Sequence, residues 1–268
     1  MQGNFPRPQI SNPFILICNE VLRKIYGAAF RKRSGVLFSV LIQYRKTLEA
    51  VFMEKHTTDN YELLCADWQK RMLQLDTAEL MKKLPELRLE GSYLTLSHYH
   101  RRYGVSLQDG TICRLDGAPE EPISLFTRLN IYTLLWYCTG RVSSQDDWVP
   151  FRSLKDASPF APAFQRSVIQ VFSRTFSGHL PELERAFLAL GGQRLAVSDL
   201  GYQLDAFECI PVQFLFWDGD DEFPAQSNLL FRRNCVDFIH VESIVSIATE
   251  GLAHLSKLSG IPLKSGGF

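Results

Sequence analysis

The sequence predicts an α+β fold: antiparallel β hairpins and sheet packed with several helices, forming a single main domain. Three observations carry this. Strand-like segments come in consecutive groups, over residues 87–115 and again over 202–231, instead of alternating singly with helices. The dipeptide Asp109-Gly110 lies between two of these segments and is a strong two-residue hairpin signal. Stretches with apolar residues three and four apart fall before, between and after the two groups, as helices packed on a sheet require.

The elements follow in order. Asp59 is a suitable N-cap for a helix carrying Tyr61, Leu64, Cys65, Trp68, Met72 and Leu75. Asp76 or Thr77 caps a short second helix that Pro85 ends. Strands then hold Tyr93 to Leu96, Tyr103 to Leu107, and Ile112. Pro122 opens a long helix, apolar nearly all round and therefore expected at the centre of the core, which Gly140 ends. Trp148 to Arg152 reads as extended. Helices follow over Pro162 to Phe176 and Pro181 to Leu190, the second stopped by Gly191-Gly192. Tyr202 to Phe207, Pro211 to Trp217 and Ser227 to Phe231 read as strands, and Val241 to Leu258 as a closing helix.

Composition narrows the function classes. The chain of 268 residues is 46% hydrophobic, enough to bury a sizeable core. Its 29 basic and 29 acidic residues cancel, which argues against a dedicated nucleic-acid binder. The zero hides a split: residues 1–52 hold eight basic residues and two acidic ones, a net of +6, leaving −6 for the rest. That change marks a boundary. The segment 1–52 reads either as a basic amphipathic arm or as an extension outside the native protein, with the true start at Met53; the second reading is preferred. The α+β domain then spans 53–268. The longest uncharged apolar stretches near the N-terminus fall well short of the ~20 residues of a membrane-spanning helix, and no signal peptide is evident. The six cysteines contain no C-x-x-C pair, so reduced structural thiols in the cytoplasm are expected rather than a cluster or zinc site.

The run Trp217-Asp218-Gly219-Asp220-Asp221-Glu222-Phe223-Pro224-Ala225, followed by Asn228-Leu229-Leu230-Phe231, resembles the signature of the domain of unknown function 3786 family. Asn60-Tyr61, the Asp109-Gly110 hairpin, Trp148-x-x-Phe151-Arg152, the stretch from Phe160 through Arg166, and Leu190-Gly191-Gly192 fall in the matching order, so the resemblance covers roughly residues 59–258. It implies an origin in strict anaerobes and a link to one-carbon or corrinoid metabolism. Some members carry an added iron–sulfur domain, whose cysteine run this chain lacks. At the last helix, where a Leu-Pro-Thr-Glu-like entry is expected, Ile239-His240-Val241-Glu242 stands instead, and only Glu242 agrees.

The acidic loop is the sharpest chemical feature. Asp218, Asp220, Asp221 and Glu222 place four carboxylates in five residues after an apolar strand, and clustered oxygens at a strand end suit a hard cation. A metal-dependent enzyme using Asp218, Asp220 and Glu222 is therefore one alternative, although the spacing matches no EF-hand loop. A solvated loop that protects a sheet edge is the preferred reading of the charges themselves. Phe223-Pro224 suggests an anchored loop or a pocket wall. Arg152 and Arg166 flank Phe160 and Phe164, and arginines beside aromatics suit an anionic ligand or an internal pairing with Asp220 or Glu222. Trp217 and Asn228 complete the candidate site at the ends of the flanking strands. His98 and His100 alternate on one strand, as two metal ligands could, but Arg101-Arg102 beside them favours a polar exposed face. His240 beside Glu242 reads as helix-entry chemistry. No nucleotide-binding or G-x-S-x-G motif is present, and no cofactor is implied by the residues. The leading expectation is an accessory module that binds a small molecule or a protein partner; a purely structural interaction protein is the remaining alternative.

Overall fold

A computed structural model describes residues 63–117 and 122–264. The basic extension at 1–52, the start at Met53 and the Asp59 cap lie outside the described residues. Residues 63–72 are helical (α1) and bury Cys65, Trp68 and Met72 along one stripe. Helix α2, Thr77–Lys83, is capped by the Asp76 carboxylate, which accepts from the backbone N–H groups of Ala78 and Glu79.

Strands β1 (Arg88–Glu90), β2 (Tyr93–His98), β3 (Arg101–Ser106) and β4 (Ile112–Arg114) form an antiparallel sheet in sequence order. The turns differ from the sequence expectation. Asp109-Gly110 sits inside a five-residue loop, where Gly110 N–H donates to the Ser106 carbonyl and the Gly110 carbonyl accepts from the Tyr132 hydroxyl. Two-residue turns fall at Gly91-Ser92 and at Tyr99-His100, the latter with φ of 46° and 60°. Both values lie in the left-handed region that hairpin turns of this length require.

Helix α3, Leu125–Tyr137, starts at Ser124, whose hydroxyl accepts from Thr127 N–H. It is the expected central helix, buried from Leu129 through Leu135. Strand β5, Trp148–Pro150, leads into a 3-10 turn at Phe151–Ser153. A rod follows, made of α4 (Ala161–Phe164), a π-helical turn (Gln165–Ile169) and α5 (Gln170–Phe176). The Ser227 hydroxyl donates to the Ile169 carbonyl where the π turn ends. Helix α6 is Leu180–Ala189.

Strands β6 (Gln193–Leu195), β7 (Leu200–Phe207), β8 (Ile210–Trp217) and β9 (Gln226–Arg232) join β5 in a second antiparallel sheet ordered β5-β9-β8-β7-β6. After a 3-10 turn at Arg233–Asp237, α7 (Val241–Ser259) closes the chain and ends at Gly260 in the left-handed conformation. The two antiparallel sheets with helices packed on them make this an α+β fold in a single domain.

The core lies between the second sheet and the helices. Val212, Phe214 and Phe216 of β8 alternate onto that side and are wholly buried. Phe172 meets Phe214 edge-on at 5.9 Å between centroids, and Phe187 stacks on Tyr202 at 4.8 Å. Each such ring contributes about 1.5–3 kcal/mol on burial. No helix among the described residues is long and apolar enough to cross a membrane.

Candidate functional site

Strand β8 ends at Trp217, and residues 218–225 cross to β9. Each of the first acidic residues has a defined task. Asp218 is a latch: its Oδ1 accepts from Gly178 N–H and Gly219 N–H, both at 2.9 Å, and ties the loop to the end of the α5 rod. Its own N–H donates to Asp199 Oδ2. Asp220 closes the loop on itself, with Oδ1 accepting from Glu222 and Phe223 N–H and its own N–H donating to the Phe223 carbonyl. The Phe223 and Glu222 amides hold its carboxyl below the usual carboxylate range. At Gly219 a Cβ would come within 2.8 Å of Ala225 N, so the tight crossing requires glycine.

This bracing leaves Phe223 outside, 63% exposed. Beside it opens a cleft of about 760 Å³ lined by Ser173, Arg174 and Ser177 of the rod end, Gly219 to Asp221, Phe223 to Ala225, and Lys264. The cations of this cleft are therefore Arg174 and Lys264. Arg152 and Arg166 are exposed and form no ion pair with Asp218, Asp220 or Glu222, so the expected internal pairing is not made. Arg166 sits in the π turn, eight residues before Arg174, a separation of roughly 12 Å along the rod. Phe164 is a core residue, stacked on Phe151 at 4.2 Å and edge-on to Phe231. Phe160 is half-buried at the start of α4. Trp217 is 40% exposed at the end of β8, outside the cleft lining, and Asn228 Oδ1 accepts from Leu229 N–H within β9. Thus the loop half of the expected site is brought together with a cleft, and the Arg152–Arg166 half is not. Among the described residues no three His, Cys, Asp or Glu side chains converge as a metal set, those of Asp218, Asp220 and Glu222 included.

A second polar constellation escaped the sequence. His98, expected on an exposed face with His100, is wholly buried, because the Tyr99-His100 turn takes the two imidazoles apart. Its Nδ1–H faces the Ala206 carbonyl at 2.6 Å, and its Nε2 meets Glu250 Oε2 at 2.9 Å. Asn130 donates to the same Glu250 oxygen; Ser124 and Thr127 donate to Oε1. Burial alone would push the Glu250 carboxyl up, but His98, through hydrogen bond and charge, with Thr127 and Ser124, holds it at about 2. His254, one turn along α7, has its Nε2 buried without a hydrogen-bond partner, and burial lowers its pKa to about 4. With His98 and Glu250 sealed from solvent, this network fastens β2, β7, α3 and α7 together and offers no atom to a substrate. The sequence signal was Glu250 itself, an acid on the apolar stripe of Ile244, Ile247, Gly251 and Leu255.

The five described cysteines form no disulfide, and burial pushes the thiols of Cys138, Cys209 and Cys235 up, the last to about 12.

Fold and cleft together define an α+β domain with one loop built rigidly beside an open, charged surface cleft. The chain belongs to the domain of unknown function (DUF3786) family, which matches over residues 76–253. No curated protein and no solved structure matches the chain.

Proposed function

We propose that this protein is an accessory module that binds a small molecule or a partner's side chain in the cleft beside Phe223. One observation carries the reading: the acidic loop is fixed by Asp218 and Asp220 so that a large aromatic ring stands 63% exposed at the edge of a concave, charged surface. A single exposed ring is ordinary on a protein surface, but one held on a braced loop beside a concavity matches how binding sites are built. A purely structural protein would need neither the concavity nor the exposed ring. The family resemblance supports a setting in anaerobic, one-carbon or corrinoid-linked metabolism. The charge split near residue 52 and the family match from residue 76 support assigning the function to residues 53–268.

The test compares wild type with Phe223→Ala, both prepared from an anaerobic host and analysed by native mass spectrometry and metabolite extraction. A compound or partner retained by wild type and lost from the variant, at equal thermal midpoint, is the expected result. Identical retention by both proteins would remove the cleft from the function.

A further inference from the structure

Resting on the reading of the cleft as a ligand site, we propose that it selects a small dipolar molecule carrying an ammonium group at one end and a carboxylate at the other. The cleft is lined by charges of both signs. Arg174 and Lys264 stand on the side of the rod end, Asp220 and Asp221 on the side of the loop. Opposite charges lining one exposed cleft can pair with each other, although such surface pairs gain little. Here they do not: the side chains of Arg174, Asp221 and Lys264 make no hydrogen bond or ion pair among the described residues.

The backbone explains why they stay apart. Asp218 fastens the loop to Gly178, and Asp220 fixes the loop's own turn through Glu222 and Phe223. On the other side, Lys264 N–H donates to Thr175 Oγ1 at 3.0 Å and holds the chain against the rod. These side-chain-to-backbone contacts fix both sides of the cleft, and Arg174, Asp221 and Lys264 line the space between. A molecule with only a negative group gains Arg174 and Lys264 but is opposed by Asp220 and Asp221, and one with only a positive group gains the acids but is opposed by the cations. Repulsion of this kind rejects single-charge ligands as effectively as attraction selects dipolar ones. The Arg174 guanidinium suits a carboxylate, to which its planar fork can bond twice. Phe223 and Pro224 supply an apolar surface for a methylene stem between the two ends.

A homologous series of ω-amino acids of increasing chain length, titrated calorimetrically into the full chain, tests this. Alkylamines and alkanoates of the same lengths are the single-charge controls. Binding should peak at one chain length and exceed both controls by about tenfold. Asp221→Asn and Arg174→Gln, both at exposed positions and checked for unchanged thermal midpoint, should each weaken the best amino acid about three- to tenfold, toward the level of the controls. An alkanoate that binds as tightly as its amino acid, or variants without effect, would overturn the dipolar class while leaving the cleft a ligand site. Failure of every probe would overturn the dipolar class as well. Failure of the ligand site itself is read separately, in the Phe223 comparison.

Discussion

Glu250 takes four donors, from Ser124, Thr127, Asn130 and His98, and so fills the acceptor positions of its two oxygens. A carboxylate in that setting is costly to remove, because its partners stay buried without it. Glu250→Ala strands the His98 ring, whose other nitrogen is already committed to Ala206. It should destabilise the fold by about 3–5 kcal/mol, the range for breaking a buried pair. Glu250→Gln keeps an acceptor for the hydroxyls but turns an amide N–H₂ toward Asn130 or His98, and should cost less. Urea denaturation of both variants checks the order. A loss below about 1 kcal/mol for Glu250→Ala would show that the network does not hold the elements together. The acidic loop works by another logic. There the carboxylates of Asp218 and Asp220 bond backbone amides at the surface, where water competes, and what they fix is geometry more than stability.

Helix α7 and the β2–β3 hairpin approach each other more closely than side chains would normally permit. A Cβ at Gly251 would stand 2.6 Å from Tyr99 Oη and 2.9 Å from Phe214 Cζ. The Tyr99 hydroxyl donates to the Ile247 carbonyl at 2.7 Å, so the ring cannot retreat without losing that bond. Gly251→Ala should therefore destabilise by about 1–3 kcal/mol through overpacking, although alanine is the better helix former. A rise in thermal midpoint would show that the hairpin has room to shift. The same contact explains what the sequence concealed. Periodic apolar spacing revealed α7 and the strands β7, β8 and β9, because burial of one face dictates that spacing, and an apolar run revealed α3, whereas β6, short and largely exposed, carried no such signal. The Tyr99-His100 turn was illegible: Tyr99 rarely adopts positive φ, and the alternation through Ser97 to His100 reads as unbroken strand. Asp109-Gly110 carried the turn signal but sits in a longer loop whose shape is set by Ser106 and Tyr132. At the candidate site, four clustered carboxylates announced the loop. The opposing cations did not announce themselves, because Arg174 and Lys264 meet it only through the fold, whereas Arg152 and Arg166 lie beside aromatics that the core had already claimed.

The whole molecule should weaken steadily on acidification, through two groups on α7 with different titration ranges. His254 lies near pH 4 in the folded protein against an ordinary 6.5, because burial opposes its charge; Glu250 draws the proton on, while the charges of His98, Arg101 and Lys257 resist it. The Tyr99 ring packs edge-on against it. As pH falls from about 6.5 to 4, the unfolded chain takes up this proton first, so the unfolded state gains and the fold loses stability. Glu250 lies near 2 against an ordinary 4.5, and the same preference for protonating the unfolded chain runs from about pH 4.5 down to 2. Each gap corresponds to about 3 kcal/mol when fully traversed. Two successive losses should therefore appear in urea midpoints measured between pH 8 and about pH 3, the lower one cut short by the accessible range. The variants separate them. His254→Gln removes the titrating imidazole and should flatten the upper limb while leaving the lower one in place. Glu250→Gln should remove the lower limb, and it also deletes the negative charge that draws a proton to His254. That lowers the folded pKa of His254 further and should deepen the upper limb. A stability profile flat from pH 8 to 4 in wild type would show that His254 reaches solvent, and that α7 packs less tightly over Tyr99 than its contacts indicate.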